Sequence, residues 1–220
     1  MQKTIKYTIF KTKWGYFGLA GTTQALLRTH LPATEPEKVK SALLSNLPAR
    51  RQVSCGGQYD KTFFKSLQHR IAAYFEAGCE NFDDITIVLD GLSTFAQLVL
   101  TACRDIAFSQ TISYGQLAKR LGRAGSARAV GAALAKNPLP LIIPCHRVIC
   151  ANGKVGGFSA AGGTDLKKKL LALETNSAPK GQNNIARGNA LGNEDTVRIE
   201  ALKGRYNTSL FLRSLQCVQE

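Results

Sequence analysis

The sequence predicts an α+β fold, with a small α/β region first and a helical region after it. Residues 3–10 alternate apolar and polar, with Ile5, Tyr7 and Ile9 set against Lys6 and Thr8, the period of a strand with one face covered. Residues 61–77 carry Phe64, Leu67, Ile71 and Phe75 at three- and four-residue steps, the period of a helix with one apolar stripe. Further on, Ser93 and Ser113 each stand as an N-cap in front of a helical stretch.

Taken in order, the first strand is followed by Trp14-Gly15-Tyr16-Phe17-Gly18-Leu19, a hairpin return, and by a third strand over residues 25–30. Residues 36–47 read as a helix, and 49–58, flanked by Pro48 and holding Gly56 and Gly57, as a loop. The amphipathic helix 61–77 comes next, then a short apolar strand over 85–89. A second domain opens at Ser93, which caps a helix over 94–106. Ser113 caps a short helix over 114–121, Gly122 ends it, and 126–136 forms the next. Asn137-Pro138 stops that helix, because the residue before a proline avoids helical angles. Two short helices joined by a glycine-containing turn make a helix-turn-helix pattern. Asn152-Gly153 is a turn, and Gly156, Gly157, Gly162 and Gly163 bracket Phe158-Ser159 in a flexible loop. Thr164 or Asp165 caps a last helix, expected to end at Leu173 or Glu174. Residues 175–193, rich in Asn and Gly, read as a linker, and Leu210, Phe211, Leu215 and Val218 fit one short amphipathic helix. The expected division is a domain over 1–90, a second over 91–175, and a flexible extension over 176–220.

The net charge of +14 points to a polyanionic partner. Residues 91–175 carry eleven basic and three acidic side chains, against twelve and eight in 1–90, so the second domain is the expected nucleic-acid face. No apolar run approaches the ~20 residues of a membrane span, and residues 1–10 lack a signal-peptide core. A cytoplasmic protein without a membrane partner is expected. The six cysteines, Cys55, Cys79, Cys103, Cys145, Cys150 and Cys217, lack CxxC spacing and are expected to be free thiols in that compartment.

Two helix faces carry chemistry. In the helix over 126–136, Ser126, Val130, Ala133, Leu134 and Asn137 share one side, and Ala124, Arg128, Gly131, Ala132 and Ala135 the other. The second side is either a surface that approaches a nucleic-acid groove and inserts Arg128, or a packed small-residue interface between helices. In the last helix, Leu166, Leu170 and Glu174 share a face. A carboxylate in line with core leucines, at a helix end that disfavours it, is either a functional group with a cationic partner or part of a frayed, solvated turn.

The chemistry is expected in Pro144-Cys145-His146-Arg147-Val148, which closes the apolar run from Leu139 to Ile143. Pro138, Pro140 and Pro144 make that run a poor interior strand. In a regular strand His146 would point away from Cys145, so the chain must turn here, or a water must bridge, if thiol and imidazole act together. Alone, the dipeptide favours a buried structural Cys beside a satisfied His. Its surroundings change that: Ser126-Ala127-Arg128-Ala129-Val130-Gly131 and Asn137-Pro138 upstream, Gly156-Gly157-Phe158-Ser159 downstream. This assembly resembles the O6-alkylguanine-DNA alkyltransferases, the methylated-DNA–protein-cysteine methyltransferases. The resemblance is strongest from about residue 92 to 174 and does not extend past about 176.

The resemblance implies a ribonuclease-H-like first domain and a winged-helix, helix-turn-helix second domain. It implies an enzyme acting once, moving an alkyl group from O6 of guanine, and by extension O4 of thymine, in double-stranded DNA onto Cys145. A relay of Cys145, water, His146 and Glu174 activates the thiol, with Asn137 bracing the segment. Arg128 replaces the flipped base from the minor groove, with Ala127, Ala129 and Gly131 against the DNA. Tyr114 assists flipping and donates to N3. Ser159 donates at O6, the carbonyls of Cys145 and Val148 accept from the exocyclic amine, and Phe158 walls the pocket where many relatives carry Tyr. Arg147 is left open between an ion pair and a phosphate contact. Some relatives hold zinc in the first domain, but His30, Cys55 and Cys79 do not form a spaced ligand set, so neither metal nor cofactor is expected. A monomer is expected, located in the cytoplasm and with the nucleoid if the source is bacterial. A noncatalytic lesion binder of the same fold would lack Cys145. A helix-turn-helix regulator would leave the thiol–imidazole pair and Glu174 without a task.

Overall fold

Three antiparallel strands, β1 (Lys6–Thr12), β2 (Gly15–Gly21) and β3 (Leu26–Ala33), open the chain in this computed structural model, which describes residues 4–45, 47, 57–78 and 80–177. Cys55, Cys79, Cys217, most of the expected 49–58 loop, the linker beyond residue 177 and the segment around Leu210 lie outside the described residues. A short strand β4 (Gln58–Tyr59) pairs parallel to β1, giving the order β3-β2-β1-β4. Gly15 closes the first hairpin at φ +126°, and a Cβ there would sit 2.5 Å from Ala33 O, so only glycine fits.

The sheet is covered on both faces, which corrects the one-sided reading of the first strand. Ile5, Tyr7, Ala20 and Leu27 pack with Leu43 of α1 (Pro36–Ser45) and with Leu47. Phe17, Leu19, Leu26 and Leu31 pack with Leu67, Ile71, Tyr74 and Phe75 of α2 (Lys65–Ala77). Thr8 is therefore buried rather than solvated. Helix α2 starts four residues later than expected. The Asp60 carboxylate accepts from the Thr62 N–H at 2.8 Å and hydroxyl at 2.6 Å, and Phe64 takes left-handed angles, so 61–64 form a turn. The expected strand over 85–89 is an extended segment with one bridge, Ile87 to Leu26 of β3.

Helix α3 (Thr94–Arg104) begins as expected, with the Ser93 hydroxyl accepting from the Ala96 N–H. A two-stranded parallel pair, β5 (Ile112–Ser113) and β6 (Val148–Ile149), follows in space. Between them lie α4 (Tyr114–Arg120), opened by a capping box of Ser113 and Gln116, and α5 (Ala127–Leu134), two residues shorter at its C-terminal end than the sequence suggested. The last helix, α6 (Gly163–Ser177), starts before Thr164 and runs three residues past Glu174. Glu174 is thus inside a formed helix, and the frayed-turn alternative falls. One apolar cluster joins Phe17 and Phe75 to Val99, Val130, Ile143 and Leu170, so the N-terminal strands and the C-terminal helices share a core. The molecule is of mixed α and β structure, and among the described residues no helix is long and apolar enough to cross a membrane.

Candidate active site

The thiol segment is held by strand β3 and by the turn that follows α5. The Thr29 N–H donates to Pro138 O at 3.0 Å and its hydroxyl to Pro140 O at 2.7 Å. The Asn137 side-chain Oδ1 accepts from the Leu139 N–H at 3.0 Å, while its Nδ2 donates to Ile143 O at 2.9 Å and to Cys145 Sγ at 3.2 Å. Between these anchors Leu141 is buried at φ +80°, a conformation that costs an L-residue ~1–2 kcal/mol and persists because its neighbours overdetermine it. The chain then turns. Cys145–Arg147 form one turn of 3-10 helix, which takes Cys145 and His146 out of the opposed geometry of a strand.

Cys145 is 9% exposed, and burial pushes its thiol up, against the lowering pull of the Asn137 amide and the Lys167 ammonium. His146 is buried, which pushes its imidazole down, while Glu174 opposes that shift. His146 Nε2 lies 2.9 Å from Glu174 Oε1. Burial would raise the Glu174 carboxyl, but His146 and Arg147 outweigh it and hold the carboxyl well below the usual range. Glu174 is therefore an anion, so Nε2 carries the proton and donates, and a neutral His146 presents Nδ1 as a bare lone pair. Nδ1 is buried and has no partner among the described residues.

Arg147 is an ion-pair partner, which settles a point the sequence left open. Its Nε donates to Glu174 Oε2 and its Nη2 to Oε1, both at 2.9 Å, and its Nη1 donates to Ile106 O at 2.7 Å. The Ser109 N–H, at 3.3 Å, and the Tyr74 hydroxyl, at 2.8 Å, complete the ring of donors around the carboxylate. A buried carboxylate needs such a ring, because an unpaired one would take up a proton instead.

The buried face of α6 is Lys167, Leu170 and Glu174, with Leu166 only partly covered. Lys167 was missed in the sequence because it stands in a run of three lysines that reads as solvated. Its spacing of three and seven from Leu170 and Glu174 was the available signal. It is 0% exposed, and its ammonium donates to Val148 O at 2.6 Å, to Gly157 O at 3.3 Å and to the Tyr114 hydroxyl at 3.4 Å. Tyr114, the first residue of α4, is half-buried, and a Cβ on Gly156 would come within 3.2 Å of its hydroxyl. Phe158 packs partly against the core, and Ser159 is exposed in the loop before α6. A cavity of about 30 Å³ lies by Arg104, Phe82 and Arg147, but neither Cys145 nor Tyr114 lines it.

On α5, Val130, Ala133 and Leu134 are buried, while Arg128, Ala129, Ala132 and Ala135 are exposed. The small-residue side is thus a free surface among the described residues rather than a helix–helix contact. Ala127 and Gly131 are half-buried at its edge. Asn137, Cys145, His146 and Glu174 are joined through one turn, and Tyr114 and Val148 are joined to it through Lys167.

Residues 94–176 match the family described as 6-O-methylguanine DNA methyltransferase, DNA binding domain. The chain is similar to methylated-DNA–protein-cysteine methyltransferases. It is 39% identical to that of Methanosarcina acetivorans over 115 residues, 52% of this chain and 71% of the relative. With that of Methanocaldococcus vulcanius it is 36% identical over 161 residues, 72% of this chain and 91% of the relative. Among solved structures, the Mycobacterium tuberculosis protein OGT in complex with DNA matches with a TM-score of 0.63 at 32% identity, covering 80% of this chain and 96% of that one.

Proposed function

The chain belongs to the methylated-DNA–protein-cysteine methyltransferase family, and from that premise we propose that Cys145 is the residue that receives the alkyl group. The protein is a DNA-repair alkyltransferase. The observation that carries the assignment of Cys145 is its thiol, bonded to the Asn137 amide and followed in the same turn by a buried His146–Glu174–Arg147 assembly.

A thiol pushed up by burial is a weak nucleophile until its proton has somewhere to go. His146 Nδ1, buried and without a protein partner among the described residues, accepts that proton through a water, and Glu174 stabilises the imidazolium through Nε2. Sulfur then attacks the alkyl carbon. A C–S bond forms, the bond from carbon to O6 breaks, and its electron pair stays on guanine. The Tyr114 hydroxyl donates a hydrogen bond at N3 of the leaving base, and the proton held on His146 goes back through the water to balance the charge left on guanine. Ser159 donates at O6 as charge develops there. Val148 O already binds the Lys167 ammonium with one lone pair, and its second accepts from the exocyclic amine of the base, as does Cys145 O.

The target atom is buried in the base stack, so the nucleotide is rotated out at a cost of a few kcal/mol. Helices α4 and α5 act as a helix-turn-helix in the minor groove, with Arg128 in the space the base leaves and Ala127, Ala129 and Gly131 close to the backbone. The finer fold reading is a ribonuclease-H-like domain over 1–90 and a winged-helix domain over 91–175, working as a monomer in the cytoplasm on O6-alkylguanine, and O4-alkylthymine, in duplex DNA. The test is mass spectrometry after incubation with O6-methylguanine duplex. The expected result is the mass of one CH2 on the peptide holding Cys145. The same mass on Cys150 or Cys103 and none on Cys145 would overturn the assignment.

A further inference from the structure

Glu174 has more donors than the task of orienting one imidazole requires. Its Oε1 faces His146 Nε2 at 2.9 Å, Arg147 Nη2 at 2.9 Å and the Tyr74 hydroxyl at 2.8 Å, while Oε2 faces Arg147 Nε and the Ser109 N–H. Arg147 grips both oxygens and fixes the plane of the carboxylate. Tyr74 does something different. It comes from α2, a hundred residues earlier in the chain, and it donates to the same oxygen that His146 uses. Its ring is fully buried, edge-on to Phe75 at 5.3 Å and tilted against Phe82 at 6.1 Å, so the hydroxyl is held in place.

We propose that Tyr74 is a positioning residue of the transfer site, whose hydroxyl shares Oε1 with His146 and so limits how strongly Glu174 draws a proton onto the imidazole. A carboxylate oxygen that already accepts a strong hydrogen bond is a weaker partner for the next donor. Without Tyr74, Glu174 would hold an imidazolium more tightly and at higher pH. A His146 that is already charged has no lone pair at Nδ1 for the thiol proton. Arg147 from the 3-10 turn and Lys167 from α6 also disfavour the imidazolium, and Cys145 and Cys103 face the site from the thiol side. Tyr74 is the member of this group that acts through the shared oxygen. The phenol itself stays protonated, because burial and the Glu174 charge push it well up. The effect on transfer rests on His146 being the proton acceptor; the contact itself does not.

The experiment uses Tyr74→Phe, which keeps the ring and removes the donor, and site-specific 3-fluorotyrosine at position 74, which makes the donor stronger. The His146 ring is titrated by NMR, and the transfer rate is followed against pH with free O6-benzylguanine, which needs no base flipping. In Tyr74→Phe the titration midpoint and the acid limb of the rate should both rise by about half a pH unit. With 3-fluorotyrosine both should fall. Leu31→Ala, which loosens the same core without removing a donor or a ring that packs on Tyr74, should lower the melting temperature and leave the midpoint in place. An unmoved midpoint in both position-74 variants, or a shift of the same sign in both, overturns the proposal. A midpoint that moves while the rate limb stays put upholds the contact and overturns instead the reading of His146 as proton acceptor.

Discussion

At the scale of single residues, the site is a buried thiol, a buried neutral base and a buried ion pair placed in series. Replacing Cys145 by Ser removes the proposed nucleophile while leaving the exposed face of α5 as it is. Transfer should fall to background and affinity for duplex DNA should be kept, which a gel-shift titration beside a transfer assay measures. Glu174→Gln is expected to behave differently. It leaves the Arg147 guanidinium buried without its counter-charge, which costs ~3–5 kcal/mol in comparable pairs. Urea denaturation should show a loss of that order. The pH dependence follows from the same groups. Glu174 and His146 both titrate lower in the folded protein than in the unfolded chain, so the unfolded chain takes up protons first as pH falls. The melting temperature should therefore decline as pH drops below the ordinary histidine range and again below the ordinary carboxylate range. In Glu174→Gln the second decline should shrink.

At the scale of elements, α5 is divided between core and surface. Val130, Ala133 and Leu134 anchor it, so Arg128 projects from a helix that cannot roll. Arg128→Ala should slow repair of duplex DNA at least tenfold more than it slows reaction with free O6-benzylguanine, since losing a stabilising contact of ~1.4 kcal/mol in the flipped state is worth a factor of ten. Equal losses on the two substrates would contradict the role. Helix α6 does the complementary work inside. Its face of Lys167, Leu170 and Glu174 carries two charged groups through an apolar contact, each satisfied from another element: Lys167 by Val148 and Gly157, Glu174 by Arg147.

At the scale of the whole molecule, the N-terminal strands and helices support the chemistry from behind. Thr29 clamps the proline loop and Tyr74 reaches Glu174. A site packed this closely has little room for an added group, and the proposed transfer turns the Cys145 thiol into a thioether. Among the described residues, His146, Glu174, Tyr114 and Lys167 move or hold protons only, and none of these four breaks a C–S bond. Methyl groups removed from excess O6-methylguanine duplex should plateau at no more than one per protein. The melting temperature should fall as the plateau is reached, by the strain of an overfilled core, typically ~1–3 kcal/mol. Continued removal beyond the plateau would overturn the single-use mechanism.

The order of β1 to β3 and of the six helices, the capped starts of α3 and α4, the apolar side of α5 and the family signature around Cys145 were legible in the sequence, whereas the short strands β4, β5 and β6 were not. The strands, caps and helix faces depend on residues within a turn or two of one another, which periodicity and capping report directly, and the signature depends on motifs in fixed order along the chain. Glu174 was legible only as a carboxylate without a local partner. Its partners were decided by tertiary structure: Tyr74, Arg147 and the Ser109 N–H arrive from other elements. Lys167 was hidden for the same reason, since a lysine among lysines is solvated unless distant carbonyls come to meet it. The second covered face of β1, which buries Thr8, depends likewise on α2 closing over the sheet. Burial of a charge is affordable only where partners from separate elements converge, and a local pattern of residue types holds no record of that convergence.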